Sequence, residues 1–534
     1  MTLIKKNGIR IAIKYNDTSK NKWDLAHRCL NKEAKSGNEI QYIEPIYKCQ
    51  SNLFQLPDTE KEIKRKSSNN QYLKNWPKPP NVENQFVWYL GDNYSQLSKA
   101  RKEVLEKNPN AKIKIAIIDT GIQKDHPALP EKILNGISFI DTEIGGSSID
   151  KTSNTIYEQD GHGTATACIL AGKKITKEIS GNDFEGVFGA IPFAEILPIR
   201  INETVALIGS EAFVSAVKYA INQGCEVISM SMAGIPSKRW ADVVNEAYTN
   251  GVVIVAAAGN SWNKGIKKLL PKRLLFPARW ENVIAATGIC ADKKPYIFDI
   301  RPQKKSQGGE TMQGNYGPSD AMVSAIAAYT PNIPWATINQ KNKFFRLDGG
   351  GTSSSTPQIA AAAAMIICYG REKINLLEEK YPNEKWRKVE LVKRALFNAA
   401  DKSYPEYKKY YGKGTLKAYS SLKELDAIEI DSLTPSKKAS VNFYGIGDFL
   451  NILILRKSDI KTKFQDIQNE MFHTEIIQAI HSNPKLFKFL DYGFEEKWSI
   501  ADKKFLKEEL LKSETTSKTL KNKLILLNVS RLTS

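Results

Sequence analysis

Between residues 110 and 400 the chain alternates short, continuously apolar runs with longer segments whose apolar residues recur at helical spacing. An apolar run of about four to eight residues is typical of a buried strand, and recurrence every three or four positions is typical of an amphipathic helix. The runs predict strands at 113–118, 194–201, 226–230, 252–258 and 282–286. Helices are predicted at 161–171, 211–222, 240–250 and 386–399, and in the alanine-rich run that follows Pro357. This alternation favours an α/β domain with a doubly wound, mostly parallel sheet that is covered on both faces.

A smaller region precedes this domain. Residues 9–15 and 40–47 alternate as strands do, and the apolar residues from Trp23 to Leu30 recur at helical spacing. We therefore predict a small α+β unit at the N-terminus. The stretch 57–84 is rich in Lys, Asn, Ser and Pro, which predicts an exposed linker.

Another small region follows the α/β domain. The apolar run 449–455 predicts a strand, and Phe464, Ile467 and Met471 share one helical face. We predict a mixed or mostly helical C-terminal domain. The predicted division of the chain is 1–84, 85–427 and 428–534.

Composition narrows the function classes. The 534 residues carry a net charge of +19, but the lysines are scattered and no nucleic-acid-binding motif accompanies them, so a nucleic-acid partner is not expected. The six cysteines are too dispersed for a disulfide framework or a zinc site. The N-terminus lacks the apolar segment of a signal peptide, and no run reaches the roughly 18 apolar residues of a membrane span. A cytoplasmic location is the expectation.

The stretch 348–367 combines three glycines, a Gly351-Thr-Ser353 sequence, Pro357 and an alanine-rich run. Glycines allow a tight turn, and proline fits the first turn of a helix. Ser353 is therefore expected at a helix N-terminus, where the helix dipole stabilises negative charge on an oxyanion. Taken alone, the pattern fits a capping loop of a core helix equally well.

Other polar motifs lie at strand ends and at a helix start. Asp119-Thr-Gly closes the strand 113–118, Gly-His162-Gly-Thr opens a helix, and Ser231 and Asn260 follow two further strands. The carboxyl ends of parallel strands meet at one edge of the sheet, where functional groups gather. Asp-Thr-Gly also occurs in aspartic proteases, but these need two such aspartates, and the sequence has no second Asp-Thr/Ser-Gly motif.

Together these motifs resemble those of the subtilisin-like serine proteases, the subtilases. The matching segments are 115–127, Asp160-Gly-His162-Gly-Thr, 188–194, 227–234, 256–260 and Gly351-Thr-Ser353. The order Asp, His, Ser along the chain is that of the family's triad. The resemblance covers roughly residues 110–425 and implies a subtilisin-like fold and a serine endopeptidase activity.

The resemblance assigns a role to each of four residues. Ser353 would attack the peptide carbonyl after His162 takes its proton, and Asp119 would orient the imidazole. Asn260 would bind the oxyanion together with the backbone N–H of Ser353. The alternative is a catalytically silent subtilase-fold binding scaffold, for which an intact set of these residues has no physical use.

The resemblance also indicates a substrate pocket. Its expected residues are Ser231, Met232, Ala233 and Gly234 on one wall, Ala257, Ala258 and Gly259 on the other, and Leu275 near the floor. Ala233 stands where the family usually has glycine, which would crowd the peptide backbone. Leu275 would shorten the pocket and favour small or flexible P1 side chains, unless it simply packs in the core.

No cofactor is expected for the chemistry, and no metal-ligand set is predicted. Ala128 occupies the place where many relatives carry a calcium-binding aspartate, and calcium needs about six to eight oxygen ligands. A strong calcium site is therefore not expected, although Asn182-Asp183 could contribute to a weaker one. The helical position of Cys168 predicts a packed thiol.

The sequence Tyr42-Ile-Glu-Pro45 resembles the end of a subtilase propeptide. Such propeptides act as folding templates and as inhibitors whose C-terminal tail occupies the active cleft. We therefore expect residues 1–84 to hold the enzyme as a zymogen, with the linker as the candidate cleavage region. A permanent accessory domain is the alternative. The expected partners are a protein or peptide substrate and a regulatory protein that binds through 428–534.

Overall fold

The computed structural model describes residues 2–5, 10–12, 21–36, 40–46, 85–140, 144–150, 161–203, 205, 210–262, 271–297, 312–338, 343–454 and 463–526. The chain divides into two compact units. The first unit comprises Met1–Lys48, Ile235–Ala241 and Ser440–Ser534, and the second comprises Cys49–Gly234 and Asp242–Ala439. The predicted linker at 57–84 lies outside the described residues. The predicted functional division into three domains stays a prediction.

The N-terminal part of the first unit is a small antiparallel sheet with one helix. Its elements are β1 (Thr2–Lys5), β2 (Arg10–Ala12), α1 (Lys22–Lys35) and β3 (Ile40–Glu44). The strand order is β2-β1-β3, and α1 packs on β3. The Asn21 side chain begins the helix by accepting hydrogen bonds from the backbone N–H groups of Trp23 and Asp24 at 2.9 and 3.1 Å. The predicted strand–helix–strand unit is present, and β1 is an addition that the sequence did not indicate.

The second unit is built on a large parallel sheet. The strands of this unit, not all of which join the large sheet, are β4 (Lys114–Asp119), β5 (Lys132–Ile133), β6 (Ile137–Ser138), β7 (Lys174–Ile175), β8 (Gly186–Val187), β9 (Glu195–Arg200), β10 (Val227–Met230), β11 (Val253–Ala257), β12 (Asn260–Trp262), β13 (Ile284–Ile289), β14 (Met312–Gly314), β15 (Ala325–Tyr329), β16 (Ile333–Ala336) and β17 (Phe345–Gly349). The large sheet has the order β15-β13-β11-β10-β4-β9-β5, with β6 also beside β9, and all of these pairs are parallel. The predicted parallel sheet is confirmed.

The helices between residues 97 and 424 are α2 (Leu97–Lys107), α3 (His162–Ala171), α4 (Lys177–Ser180), α5 (Ser210–Asn222), α6 (Lys238–Thr249), α7 (Thr352–Tyr369), α8 (Arg371–Lys380), α9 (Trp386–Ala399), α10 (Tyr407–Tyr410) and α11 (Ala418–Glu424), with 3-10 turns at Gln85–Leu90, Ala321–Ser324 and Ile430–Ser432. The start of α6 belongs to the segment Ile235–Ala241 of the first unit. Helix α7 packs against β10, β11, β13 and β15, and α5 packs against β9. Every residue of β10, β11 and β13 is buried. Because successive side chains of a strand point to opposite faces, both faces of the sheet are covered, as predicted.

The C-terminal part of the first unit is helical. Its elements are α12 (Tyr444–Ile454), α13 (Lys463–Ser482), a 3-10 segment (Pro484–Asp491), α14 (Ile500–Lys512) and α15 (Lys518–Ile525). The prediction of a strand at 449–455 is wrong, because this run lies in α12 up to Ile454. A short, continuously apolar run looks the same whether it belongs to a buried strand or to a buried helix. Within the described parts of the chain, no helix combines the length and the apolar character needed to cross a membrane.

Candidate active site

Asp119 is the last residue of β4 and lies at the carboxyl edge of the large sheet. Its side chain is buried, with the backbone N–H of Thr120 donating to Oδ1 at 2.7 Å and the Thr166 hydroxyl donating to Oδ2 at 3.3 Å. The chain turns away at Gly121, where φ is +108° and a Cβ would lie 2.6 Å from the Ser148 carbonyl oxygen. The carboxylate is therefore held in one orientation by the turn that follows its strand and by Thr166 of the next helix.

His162 is the first residue of α3 and faces Asp119. Gly161 turns the chain into the helix with φ of +75°, a conformation that glycine adopts without strain. The ring Nδ1 lies 2.7 Å from Asp119 Oδ1, and because a carboxylate can only accept, Nδ1 carries the proton. The Trp335 ring packs edge-on against the imidazole, with ring centroids 5.4 Å apart. Because Nδ1 carries the proton, the neutral imidazole has its free lone pair on Nε2.

Ser353 is the second residue of α7, as the glycine-rich turn and Pro357 predicted. Its Oγ donates a hydrogen bond to the Ser231 carbonyl oxygen at 3.4 Å, and the Ser231 hydroxyl donates to the Ser353 carbonyl oxygen at 3.0 Å. Among the residues that the structure describes, no hydrogen bond joins the Ser353 hydroxyl to His162. Such bonds are often long in substrate-free enzymes and tighten when substrate binds.

Asn260 lies beside the start of α7. Its Oδ1 accepts hydrogen bonds from the backbone N–H of Thr352 at 2.9 Å and from the Thr352 hydroxyl at 3.3 Å. A Cβ on Gly351, which has φ of +84°, would lie 3.0 Å from Asn260 Nδ2. Since the amide oxygen is held by Thr352, the amide nitrogen is left to donate to a negatively charged group at the helix N-terminus.

A buried carboxylate that the sequence did not single out, Asp150, connects the Asp119 turn to the start of α3. Its Oδ2 accepts hydrogen bonds from the Thr120 hydroxyl at 2.8 Å and from the backbone N–H of Gly161 at 2.9 Å. The Arg200 guanidinium lies 3.7 Å from Oδ1. Burial raises the pKa of Asp150 to about 7, against the opposing effects of the Thr120 hydrogen bond and Arg200. No sequence signal marks Asp150, because its partners are distant along the chain. Asp160 of the predicted motif lies outside the described residues.

The structure brings the predicted pocket segments together. Gly234 N donates to the Phe276 carbonyl oxygen at 3.0 Å, and Leu275 N donates to the Ala258 carbonyl oxygen at 3.0 Å. Leu275 is half-buried, and its Cδ1 would lie 2.7 Å from a Cβ on Gly259, which has φ of +98°. The Leu275 side chain therefore packs directly over the second predicted wall.

The first predicted wall is buried and already bonded within the chain. Ser231, Met232, Ala233 and Gly234 are all buried. Ala233 N donates to the Val205 carbonyl oxygen at 3.1 Å, and Gly234 N donates to Phe276. A peptide that adds here as a strand would therefore bond to carbonyl oxygens or displace these contacts.

Two further residues from the sequence analysis pack as structural groups. Cys168 is buried, and burial raises the pKa of its thiol, in agreement with a packed cysteine. Ala128 is also buried, and its backbone N–H donates to His126 Nδ1 at 3.2 Å. Over the described ranges, no group of three or more His, Cys, Asp or Glu side chains is placed to hold a metal ion. Weak calcium binding near Asn182-Asp183 stays a prediction.

Comparison with known proteins tests the resemblance. A family model described as the subtilase family, Peptidase_S8, matches residues 110–414. Subtilisin DY from Bacillus licheniformis is 29% identical over 324 residues, which are 60% of this chain and 94% of that protein. Thermitase from Thermoactinomyces vulgaris is 28% identical over 310 residues, which are 58% of this chain and 88% of that protein. The solved structure of the prenylagaramide maturation protease PagA is 19% identical, with a TM-score of 0.41, over 62% of this chain and 99% of that chain.

The family match spans the aspartate turn, the histidine helix and the serine helix, in the order that the sequence predicted. It covers more than half of the chain, and the two relatives are matched over most of their own length. The resemblance is therefore confirmed: the chain belongs to the subtilase family, peptidase family S8, and is a serine endopeptidase.

Proposed function

We propose that the chain cleaves peptide bonds through an acyl-enzyme formed on Ser353, with His162 as the base and Asp119 as its orienting partner. The observation that carries the proposal is the 2.7 Å contact between His162 Nδ1 and Asp119 Oδ1. This contact fixes the tautomer in which Nε2 can take a proton, in a site that also holds a serine at a helix N-terminus.

In the first half of the reaction, Ser353 Oγ bonds to the substrate carbonyl carbon and its proton passes to His162 Nε2. The Ser353 hydroxyl must turn from the Ser231 carbonyl oxygen to His162 for this step. Asn260 Nδ2 and the backbone N–H of Ser353 stabilise the negative charge that develops on the carbonyl oxygen. The imidazolium then gives its proton to the leaving amine as the C–N bond breaks, which leaves an ester on Ser353.

In the second half, His162 takes a proton from water, and the resulting hydroxide attacks the ester carbonyl. The same donors stabilise the second oxyanion. When the ester bond breaks, the proton returns from His162 to Ser353 Oγ and the acid product is released. Asp119 stabilises the imidazolium in both halves and does not itself become protonated.

The direct test is labelling with a serine-directed fluorophosphonate, followed by mass spectrometry of the labelled peptide. Wild type is expected to carry the label on Ser353, Ser353→Ala to carry none, and His162→Ala to react at least about 10³-fold more slowly. Ser355→Ala is the matched control, because the Ser355 hydroxyl donates to the Ala328 carbonyl oxygen at 3.0 Å and has no role in the site. A folded wild-type chain that takes no label, with and without its first 84 residues, would favour the silent scaffold.

The N-terminal region is proposed to restrain this activity. Its last strand ends at Glu44, whose carboxylate accepts hydrogen bonds from the backbone N–H groups of Lys238 and Arg239 at 3.1 and 3.2 Å. These residues begin α6, and an acidic group is favourable at a helix N-terminus. The predicted linker at 57–84 follows along the chain and supplies the candidate cleavage region. A cytoplasmic location and a regulatory partner for 428–534 stay predictions.

A further inference from the structure

The hydrophobic core of the N-terminal segment is not made by that segment alone. Its buried apolar residues come from α1 and β3, namely Trp23, Ala26, Cys29, Leu30, Ile40, Tyr42 and Ile43. Two residues of α13, Ile467 and Met471, complete the same cluster, and Phe464 packs against it. Met471 is fully buried there. Separating residues 1–48 from α13 would expose apolar surface on both sides, which is unfavourable in water.

Buried polar contacts fix the register of this packing. The Trp23 indole N–H donates to Gln478 Oε1 at 3.1 Å, and the Tyr42 hydroxyl bonds to the Thr474 hydroxyl. His27 Nε2 lies 3.1 Å from Glu475 Oε2, and both of these side chains are buried. Removing either partner of a buried pair leaves the other without compensation, so the two segments are specific for each other.

The start of α15 is capped from both segments. The backbone N–H of Ser517 donates to Glu475 Oε1 at 2.6 Å, and the backbone N–H of Lys518 donates to Asp24 Oδ1 at 2.6 Å. Asn21 Nδ2 also donates to the Glu514 carbonyl oxygen at 3.0 Å. An aspartate from the N-terminal segment thus satisfies a free N–H of the last helix, in the electrostatically favourable position.

We propose that α13 and α15 form a binding surface for the N-terminal segment, residues 1–48. This surface retains the segment after the chain is cut between residues 49 and 84. The segment would then remain on the enzyme as a non-covalent subunit. The proposal concerns binding alone and does not require catalysis by Ser353. The role assigned to the C-terminal domain is to hold the cleaved segment. A segment that stays bound to α13 and α15 remains at high local concentration beside the enzyme.

The test uses the full chain carrying Ser353→Ala, so that self-digestion plays no part. A recognition sequence for a site-specific protease is inserted between residues 49 and 84, the chain is cut, and the products are separated by size exclusion in native buffer. The N-terminal fragment is expected to elute with the remainder of the chain after extensive dilution, with intact masses identifying both pieces. Elution of the fragment by itself would overturn the proposal.

Variants identify the surface responsible. Trp23→Ala combined with Tyr42→Phe is expected to release the fragment at least about tenfold faster, because it removes a buried indole and a buried hydrogen bond. Lys32→Ala, an exposed position on the same helix, is the matched control and is expected to change release by less than about twofold. If Glu44→Gln alone releases the fragment and the Trp23 and Tyr42 substitutions do not, residues 238–239 and not α13 hold the segment, and the proposal fails.

A second measurement does not depend on the inserted sequence. In the uncut Ser353→Ala chain, Trp23→Ala and Tyr42→Phe are expected to increase hydrogen–deuterium exchange in peptides from α13 and α15, because both helices lose packing. Circular dichroism reports whether the helices themselves persist. Exchange in α13 and α15 that matches the unsubstituted chain, with the helices intact, would contradict the proposal.

Discussion

At the scale of single residues, the site depends on side chains whose orientation is set by nearby backbone groups. Asn260 is one such residue, because its amide oxygen is bound by Thr352 and its amide nitrogen is thereby aimed at the start of α7. Asn260→Ala is expected to lower kcat by about 10² to 10³ and to leave KM nearly unchanged, the magnitude found for the equivalent asparagine of subtilisin. Steady-state hydrolysis of a peptide substrate measures both constants.

The neighbouring Ser261 provides the control for Asn260. The Ser261 hydroxyl is buried and makes no hydrogen bond within the described residues. Ser261→Ala therefore removes a polar atom close to Asn260 without breaking a hydrogen bond. Its kcat is expected to stay within about twofold of wild type. A loss of kcat in Asn260→Ala that is no larger than in Ser261→Ala would show that the amide does not stabilise the oxyanion.

Asp150 gives a prediction about stability and pH. Burial raises its pKa to about 7, whereas an aspartate in an unfolded chain titrates near about 3.9. The folded state therefore binds more protons than the unfolded state between these values. The contribution of this group to the free energy of unfolding is present below about pH 4 and is lost as the pH rises through 7, by at most about 4 kcal/mol.

Asp150→Asn removes this dependence on pH. In the Ser353→Ala background, the melting temperature of Asp150→Asn is expected to rise relative to that of the parent between pH 5 and pH 8. Asp183→Asn, which changes an exposed carboxylate, is the control. The difference in melting temperature between Asp183→Asn and the parent is expected not to change with pH. If the melting temperatures of the Asp150→Asn and parent chains change with pH in the same way across this range, the expected titration is contradicted.

Residues of the site differ in how far the sequence could predict them. Asp119, His162 and Ser353 sit in short motifs whose glycines are needed by the local turns, so each motif is visible in a few consecutive residues. Asp150 and Thr166 act through contacts that no local pattern encodes. Thr166, for example, reaches Asp119 across 47 positions of sequence. Such contacts follow from the packing of α3 on β4, which exists only in the folded chain.

At the scale of elements, the parallel strands were predictable because they are buried on both faces and are therefore continuously apolar. The same pattern failed at α12, where the apolar run belongs to a helix. Length and period could not separate the two structures, since a short run of apolar residues has no measurable period. The packing of α12 in the helical C-terminal part of the first unit decided the outcome.

The loop that carries Leu275 gives a prediction about specificity. Leu275 packs over Gly259, so Leu275→Ala is expected to lengthen the pocket. The ratio of kcat/KM for a P1 Phe peptide to that for a P1 Ala peptide should rise by about tenfold or more, the range expected when a few methyl groups leave an apolar pocket. Matched chromogenic peptides that differ only at P1 measure this ratio.

Leu274 separates a pocket role from a core role. It is fully buried, so Leu274→Ala is expected to lower the melting temperature without changing the P1 ratio. If Leu275→Ala behaves in the same way, with a lower melting temperature and an unchanged ratio, Leu275 is a core residue and the predicted pocket floor is wrong.

At the scale of the whole molecule, the pairing of the two chain ends was beyond sequence reasoning. Trp23 and Gln478 are 455 positions apart, and each lies in a segment that looks self-sufficient when read locally. Apolar faces on α1 and α13 were visible, but periodicity does not say which face packs on which. The shared core of the first unit is therefore a finding of the structure alone.

The last prediction concerns self-processing. If residues 1–84 restrain the enzyme, wild type is expected to cut its own chain in the linker 57–84, and Ser353→Ala is expected to remain at full mass. Intact-mass spectrometry of both proteins, purified side by side over a time course, measures the cut. Peptidase activity should rise in step with the cut fraction, because the resemblance to subtilase propeptides implies that the uncut N-terminal region inhibits the enzyme. Ser355→Ala, the control, should cut its own chain as wild type does.

Two outcomes would contradict this prediction. A cut in Ser353→Ala identical to that in wild type would show that another protease makes the cut. If wild type and Ser353→Ala both keep the full-length mass and wild type is fully active, the N-terminal region is a permanent accessory domain.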